Sequence, residues 1–191
     1  MANPIDEPTL PNIVVRFLDP GRRPEKNPDI AALASVELFA GLSRRDLKKL
    51  VSIAHRRAFA PDEPLFEHGQ PGAAMFVIKR GRVAVTVPDR SGHDVEVATL
   101  LGGAFVGELA LLDASPRSAA AVAREPTETL AFFREDLNRL LDTAPRLSSK
   151  IYRALALCIG QRLKAMNAQL IEQQAQRGTM TVSVQDQGVT A

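Results

Sequence analysis

The sequence predicts an α+β fold that is mainly β: an antiparallel β-roll with flanking helices and one long helix toward the C-terminal end. Two observations carry this. Between residues 75 and 133 short β-prone runs follow one another at regular spacing, divided by Gly and Pro, which is the pattern of an antiparallel roll or barrel. After Pro145 the punctuation stops, and apolar residues recur at helical spacing as far as Gln176. At 191 residues and 45% apolar composition, one domain with extensions is the size such a core supports.

The elements follow in order. Residues 1–30 hold Pro4, Pro8, Pro11, Pro20, Pro24 and Pro28, so a regular helix is not expected there and the stretch reads as an extended arm. Within it Ile13-Val14-Val15-Arg16-Phe17-Leu18 is apolar enough to dock on its own domain or on a partner. The roll domain is expected over 31–145. Ser43 is its first N-cap, with Asp46 at the third helical position and Leu47, Leu50, Val51 and Ala54 as the apolar stripe. Asp62-Glu63-Pro64 ends the approach to the first strands, and Gly69, Pro71 and Gly72 mark a turn. Residues 75–78 and 83–87 read as strands, the second alternating with Arg82, Ala84 and Thr86 at period two, and Gly81 supplies the reversal between them. Residues 88–93 form the next hairpin loop, from which Val95, Val97 and Thr99 return. Two more strands, 119–124 and 129–133, are split by Glu125-Pro126-Thr127.

A short helix is expected over 134–141, and Pro145 opens the long one. In it Tyr152, Ala156, Ile159, Leu163, Met166 and Leu170 repeat at spacings 4-3-4-3-4, a seam that predicts a parallel homodimer through 146–176. Ile151, Leu155 and Cys158 form a second stripe that can face the roll. Residues 177–191 contain one arginine and no lysine and read as a disordered tail.

The stretch Phe105-Val106-Gly107-Glu108-Leu109-Ala110-Leu111-Leu112-Asp113-Ala114-Ser115-Pro116-Arg117-Ser118-Ala119 says most about function. Gly107 lets a ligand approach the backbone N–H, and the helical turn after it offers unpaired N–H groups to an anion. Arg117 can clamp two phosphate oxygens with parallel hydrogen bonds. A carboxylate such as Glu108 beside a phosphate needs a donor of its own, and a ribose 2′-OH is the natural one. Together they suit a small ligand with both a hydroxyl and a phosphate.

This stretch resembles the phosphate-binding cassette of cyclic-nucleotide-binding domains, whose pattern runs Phe-x-Gly-Glu-(Leu/Ile)-Ala-Leu-Leu, a short loop, then Pro-Arg-x-Ala-x-Val. Phe105, Gly107, Glu108, Leu109, Ala110, Leu111, Leu112, Pro116, Arg117, Ala119 and Val122 all fit. The turn and strands over 67–85 extend the likeness, which covers roughly residues 33–170. The resemblance implies a jelly-roll-like roll that binds cAMP, with cGMP as the alternative, through Val106, Gly107, Glu108, Leu109, Ala110, Arg117, Ser118 and Ala119. Members selective for cGMP often carry threonine where this chain has Ser118. Alignment with catabolite-activator-type regulators puts Met166 and Asn167 where that family meets the adenine base. Those regulators have a helix-turn-helix domain after the long helix, and residues 177–191 do not read as one, so DNA binding is not expected to carry over.

A formal charge of +2 does not demand nucleic acid. The single Cys158 allows no intrachain disulfide, and no signal core or membrane-length apolar run occurs, so the protein is expected in the cytoplasm. His55, His68 and His93 lack metal-ligand spacing, and no P-loop, nucleophile elbow or dinucleotide fingerprint is found. No enzyme activity, metal or cofactor is expected. The sequence is therefore read as a cyclic-nucleotide sensor that signals through its C-terminal helix to a protein partner. The rivals are a transcription regulator reaching DNA through Arg44, Arg45, Arg56 or Arg57, or through a partner, and a dimerisation module without a ligand.

Overall fold

A computed structural model describes residues 26–185. Within it the roll is two four-stranded antiparallel sheets. The strands are β1 (His55–Phe59), β2 (Pro64–Phe66), β3 (Ala74–Arg80), β4 (Arg82–Pro88), β5 (Asp94–Leu101), β6 (Phe105–Val106), β7 (Ala120–Ala123) and β8 (Thr127–Phe133). One sheet has the order β1-β8-β3-β6 and the other β2-β7-β4-β5. Phe66, Phe76, Ile78, Val83, Val106, Ala121 and Ala131 form the buried core shared by the two sheets.

The helices are α1 (Pro28–Ala34), α2 (Arg44–Val51), α3 (Arg134–Asp142) and α4 (Pro145–Gln185). The expected extended arm to residue 30 is corrected at its end: α1 begins at Pro28. Proline is tolerated in the first helical position, where no N–H is needed, and the Asn27 side chain caps the amides of Asp29 and Ile30. Residues 1–25, including the apolar run 13–18, lie outside the described residues. The Ser43 cap stands as expected, as a full capping box with Asp46, and Leu47 and Leu50 are buried. Lys150 reaches the same Asp46 carboxylate at 2.9 Å. Asp29 is buried and joins α1 to the first sheet through Arg56 at 2.6 Å and Lys79 at 2.7 Å.

β1 and β2 were legible only as an approach to strands. β1 reads His-Arg-Arg-Ala-Phe and is mostly exposed, so it carries no apolar alternation; it forms as the edge of its sheet, in register with β8 from His55↔Ala131 to Phe59↔Thr127. His55 sits edge-on to Phe133 and 3.0 Å from Asp136. The alternation in β4 is chemical only. Ala84 and Thr86 are as buried as Val83, so both faces of β4 are covered at these positions. β8 starts at Thr127 rather than 129, since its hydroxyl closes onto the Glu125 carbonyl at 2.8 Å and its backbone already pairs with Phe59. Gly81 has φ +100°, and a Cβ there would lie 2.3 Å from the Thr127 hydroxyl.

The chain divides into two compact units, the first ending at Ile151 and the second starting at Tyr152. In the second unit the expectation of a helix ending near Gln176 and a disordered tail from 177 is overturned as far as Gln185, which is still helical. No proline follows Pro145, residues 173–177 are good helix formers, and the single Gly178 costs about 1 kcal/mol, too little to stop the helix. Residues 186–191 lie outside the described residues. Ile151, Leu155 and Cys158 are buried, whereas Tyr152, Ala156, Leu163 and Met166 of the seam are exposed and Ile159 is half-buried. The side chain of Leu170 is outside the described residues.

Candidate ligand-binding site

β6 pairs with β3 through Phe76↔Val106 and Val77↔Phe105, and so delivers the chain to Gly107 at the edge of the first sheet. Gly107 turns left-handed, φ +78°, and opens a single 3-10 turn, Glu108–Leu111. The expected helix is thus four residues long. A turn of that length carries little of a helix dipole, and the formal positive charge at the cassette is that of a side chain.

That side chain is Arg117, 8% exposed. Its backbone is pinned from both sides by the β2–β3 turn: its N–H donates to Gln70 O at 2.8 Å, and Gly69 N–H donates to its carbonyl at 2.9 Å. Pro116 bridges to Pro71 beside it. The guanidinium donates from Nη1 to Gly107 O at 3.1 Å and from Nη2 to Ala74 O at 2.6 Å, and lies 4.0 Å over the Phe66 ring. Its Nε is buried and has no hydrogen-bond partner. Burial pushes its pKa down, and the nearby Glu108 carboxylate works against that shift. Arginine remains fully charged at physiological pH even so.

Glu108 itself is 5% exposed, and Val106 and Ala110 are buried. Leu109 and Leu112 are about half exposed, Ser118 is exposed and Ala119 half-buried. Within the first unit Arg117 thus meets Gly107 and Glu108, its guanidinium on Gly107 O and its charge near the Glu108 carboxylate. Met166 and Asn167 stand exposed in the second unit. The fold gives a further reason for glycine at 107, beside the ligand approach expected from the sequence. Besides its left-handed φ, a Cβ would lie 2.5 Å from Arg117 Nη1, so the residue makes room for the arginine. Gly72 is similarly tight, with a Cβ placed 2.9 Å from that of Ala110.

Sequence reasoning missed Phe66, the carbonyls of Gln70 and Ala74, and Arg134, which donates to the carbonyls of Ala110 and Asp113. Backbone carbonyls leave no mark in a sequence, and Phe66 reads as an ordinary core residue. Two surface hollows, of about 210 Å3 beside Arg57 and Lys79 and about 400 Å3 beside His68 and Asp94, share no lining residue with residues 106–110 or 117–119. What marks the cassette is its buried charge with unspent donor capacity.

The family model for the cyclic nucleotide-binding domain matches residues 56–144, the stretch that holds Gly107, Glu108 and Arg117. Those residues are a cyclic nucleotide-binding domain. The chain is 34% identical over 133 residues to the cyclic AMP receptor protein of Thermus thermophilus, covering 70% of this chain and 60% of that one. It is also 34% identical over 138 residues to glutaminase 1 of Bradyrhizobium diazoefficiens, covering 72% of this chain and 22% of that enzyme. Among solved structures, a cyclic nucleotide-binding domain from Methylobacillus flagellatus superposes with a TM-score of 0.68 at 26% identity, covering 76% of this chain and 82% of that one. The chain thus spans less than two thirds of the length of the curated relatives named here. The cyclic nucleotide-binding domain is a regulatory module, and relatives such as the glutaminase join it to enzymes. Among the described residues no helix is long and apolar enough to cross a membrane.

Proposed function

We propose that this chain is a cAMP sensor that works as a homodimer and passes its signal through α4 to a protein partner, with no catalysis of its own. The observation that carries the reading is Arg117: a guanidinium 8% exposed, with an unpartnered buried Nε and its other donors resting on two neutral carbonyls. A cyclic phosphodiester offers charged acceptors instead, so that both partners of each hydrogen bond are ionised and the guanidinium can engage two phosphate oxygens in parallel. Glu108, buried next to it, accepts the ribose 2′-OH. Ser118 and Ala119 add the hydroxyl and backbone N–H groups that a phosphate oxygen needs. The preference for cAMP over cGMP follows from Ser118, and Asn167 supplies both a donor and an acceptor for a purine edge, with Met166 as apolar cover.

The dimer rests on the exposed seam. Leu163 and Met166 are 57% and 60% exposed, and a stripe of large apolar residues on a helix face needs a cover. A parallel partner supplies it. Ligand binding shifts a two-state equilibrium only through contacts that differ between the states, and the swap of Arg117 from carbonyls to phosphate is such a difference.

Isothermal titration of the full chain with cAMP and cGMP tests this. Binding of cAMP, tighter than cGMP, and a loss of about 2–5 kcal/mol in Arg117→Ala are expected. Arg117→Lys should recover part, for want of the second hydrogen bond. Wild-type affinity in Arg117→Ala, or no uptake of either nucleotide, would remove the reading.

A further inference from the structure

Arg134 is the first residue of α3, and nothing in the ligand reading uses it. Its backbone N–H donates to Ala73 O at 2.9 Å, one residue before the Ala74 carbonyl that receives Arg117. Its guanidinium turns the other way: Nη1 donates to Ala110 O at 3.3 Å and to Asp113 O. Those two carbonyls belong to the end of the cassette turn, where amides 112 and 113 already bond to Leu109 O. A cation there satisfies carbonyls that no backbone amide takes up.

The two arginines thus hold the two ends of one element. Arg117 ties its beginning, at Gly107 O, to the 73–74 segment. Arg134 ties its end to the same segment and to the start of α3. Were the first tie exchanged for another acceptor, the second would be left to decide whether α3 follows the cassette. The rest of α3 is anchored by Leu137 and Leu141, both buried, so a pull at its first residue acts on an element that moves as a whole.

We propose that Arg134 is a positioning residue that couples the cassette turn to α3, holding the turn's C-terminal end and carrying its displacement into the helix. The second half rests on the reading of the cassette as a ligand site; the first half does not.

Amide hydrogen exchange on the full chain tests both. Without nucleotide, Arg134→Met should speed exchange at Leu112 and Asp113 by about tenfold while Val77 and Leu130, at the centre of the roll, stay as they are. Arg134→Lys should recover part of the protection, and Arg139→Gln, an exposed α3 control, should change nothing at 112–113. In the same conditions Arg117→Ala should alter exchange in α3 when Arg134 is present and leave it unaltered in the Arg134→Met background. Unchanged protection at 112–113, or an Arg117→Ala effect on α3 equal in both backgrounds, overturns the proposal. If Arg134→Met does not fold, Arg134→Gln keeps a shorter polar stem and carries the same predictions. With cAMP added, the change in α3 exchange should vanish in Arg134→Met while affinity stays within about threefold. A loss of affinity beyond about a hundredfold would place Arg134 among the ligand contacts and overturn its positioning role. If the wild type takes up no cAMP, the ligand reading falls, and the nucleotide-free exchange still decides the coupling.

Discussion

Replacing Gly107 by alanine separates the cassette from an ordinary turn. Two costs add there. The left-handed φ of +78° costs an L-residue about 1–2 kcal/mol. The new Cβ would also lie 2.5 Å from Arg117 Nη1 and 3.2 Å from both Ala74 O and the Phe66 ring. Backbone on one side and a packed ring on the other leave the guanidinium as the group that must move, and it then loses its bond to Gly107 O. A hydrogen bond from a charged donor contributes about 1.5–3 kcal/mol, part of which the displaced group regains elsewhere. The expected destabilisation is therefore about 2–4 kcal/mol. Gly92→Ala is the internal control, because φ is +84° but nothing lies within 4 Å of its Cβ, so only the conformational cost remains. Urea unfolding of both variants gives the difference, and cAMP titration gives the functional consequence: weakened binding in Gly107→Ala and wild-type binding in Gly92→Ala. If the two variants lose equal stability and both bind normally, Gly107 does not make room for Arg117, and the geometry of the site is wrong.

Three other outcomes are expected. If Glu108 accepts the 2′-OH, wild type should discriminate against 2′-deoxy-cAMP and Glu108→Gln should discriminate far less; equal discrimination would leave Glu108 a purely structural role. Sedimentation at tens of micromolar should show a dimer that Leu163→Glu with Met166→Glu converts to monomer, and a monomeric wild type would refute the seam. At Asp29, burial pushes the carboxyl up, but the hydrogen bonds and charges of Lys79 and Arg56 outweigh it and hold the pKa below the ordinary value. A depressed folded pKa gives stability that is present above the unfolded pKa of about 3.9 and is lost as pH falls through the lower, folded value. Asp29→Asn should therefore cost about 1–2 kcal/mol at neutral pH, modest because Arg56 is 73% exposed, and should flatten stability below about pH 4. A neutral-pH stability equal to wild type would mean the cluster contributes nothing.

Much of the fold was legible because it is written locally. Ser43 with Asp46, Gly81 and Pro145 each act within one turn of chain, and each stands where the sequence places it. Other features depend on what lies across the sheet. β1 is a strand because β8 offers it a ladder, and Thr86 is buried although the alternation of its strand places it on the polar side. The end of α4 was misread for the opposite reason: polar composition suggested disorder, whereas helix propensity and the absence of proline continue the helix to Gln185.

The division is sharpest at the cassette. The sequence by itself determined which residues could recognise a hydroxyl and a phosphate, because Gly107, Glu108, Pro116 and Arg117 are fixed in type and spacing along ten or so positions of one segment. Only the tertiary structure decided what holds them. Gln70 in the β2–β3 turn and Ala74 at the start of β3 supply carbonyls from more than forty residues upstream of Arg117, Phe66 supplies the face beneath the guanidinium, and Arg134 closes the far end from α3. A backbone carbonyl is chemically the same at every residue, so its role depends on which distant side chain the fold brings within about 3 Å of it.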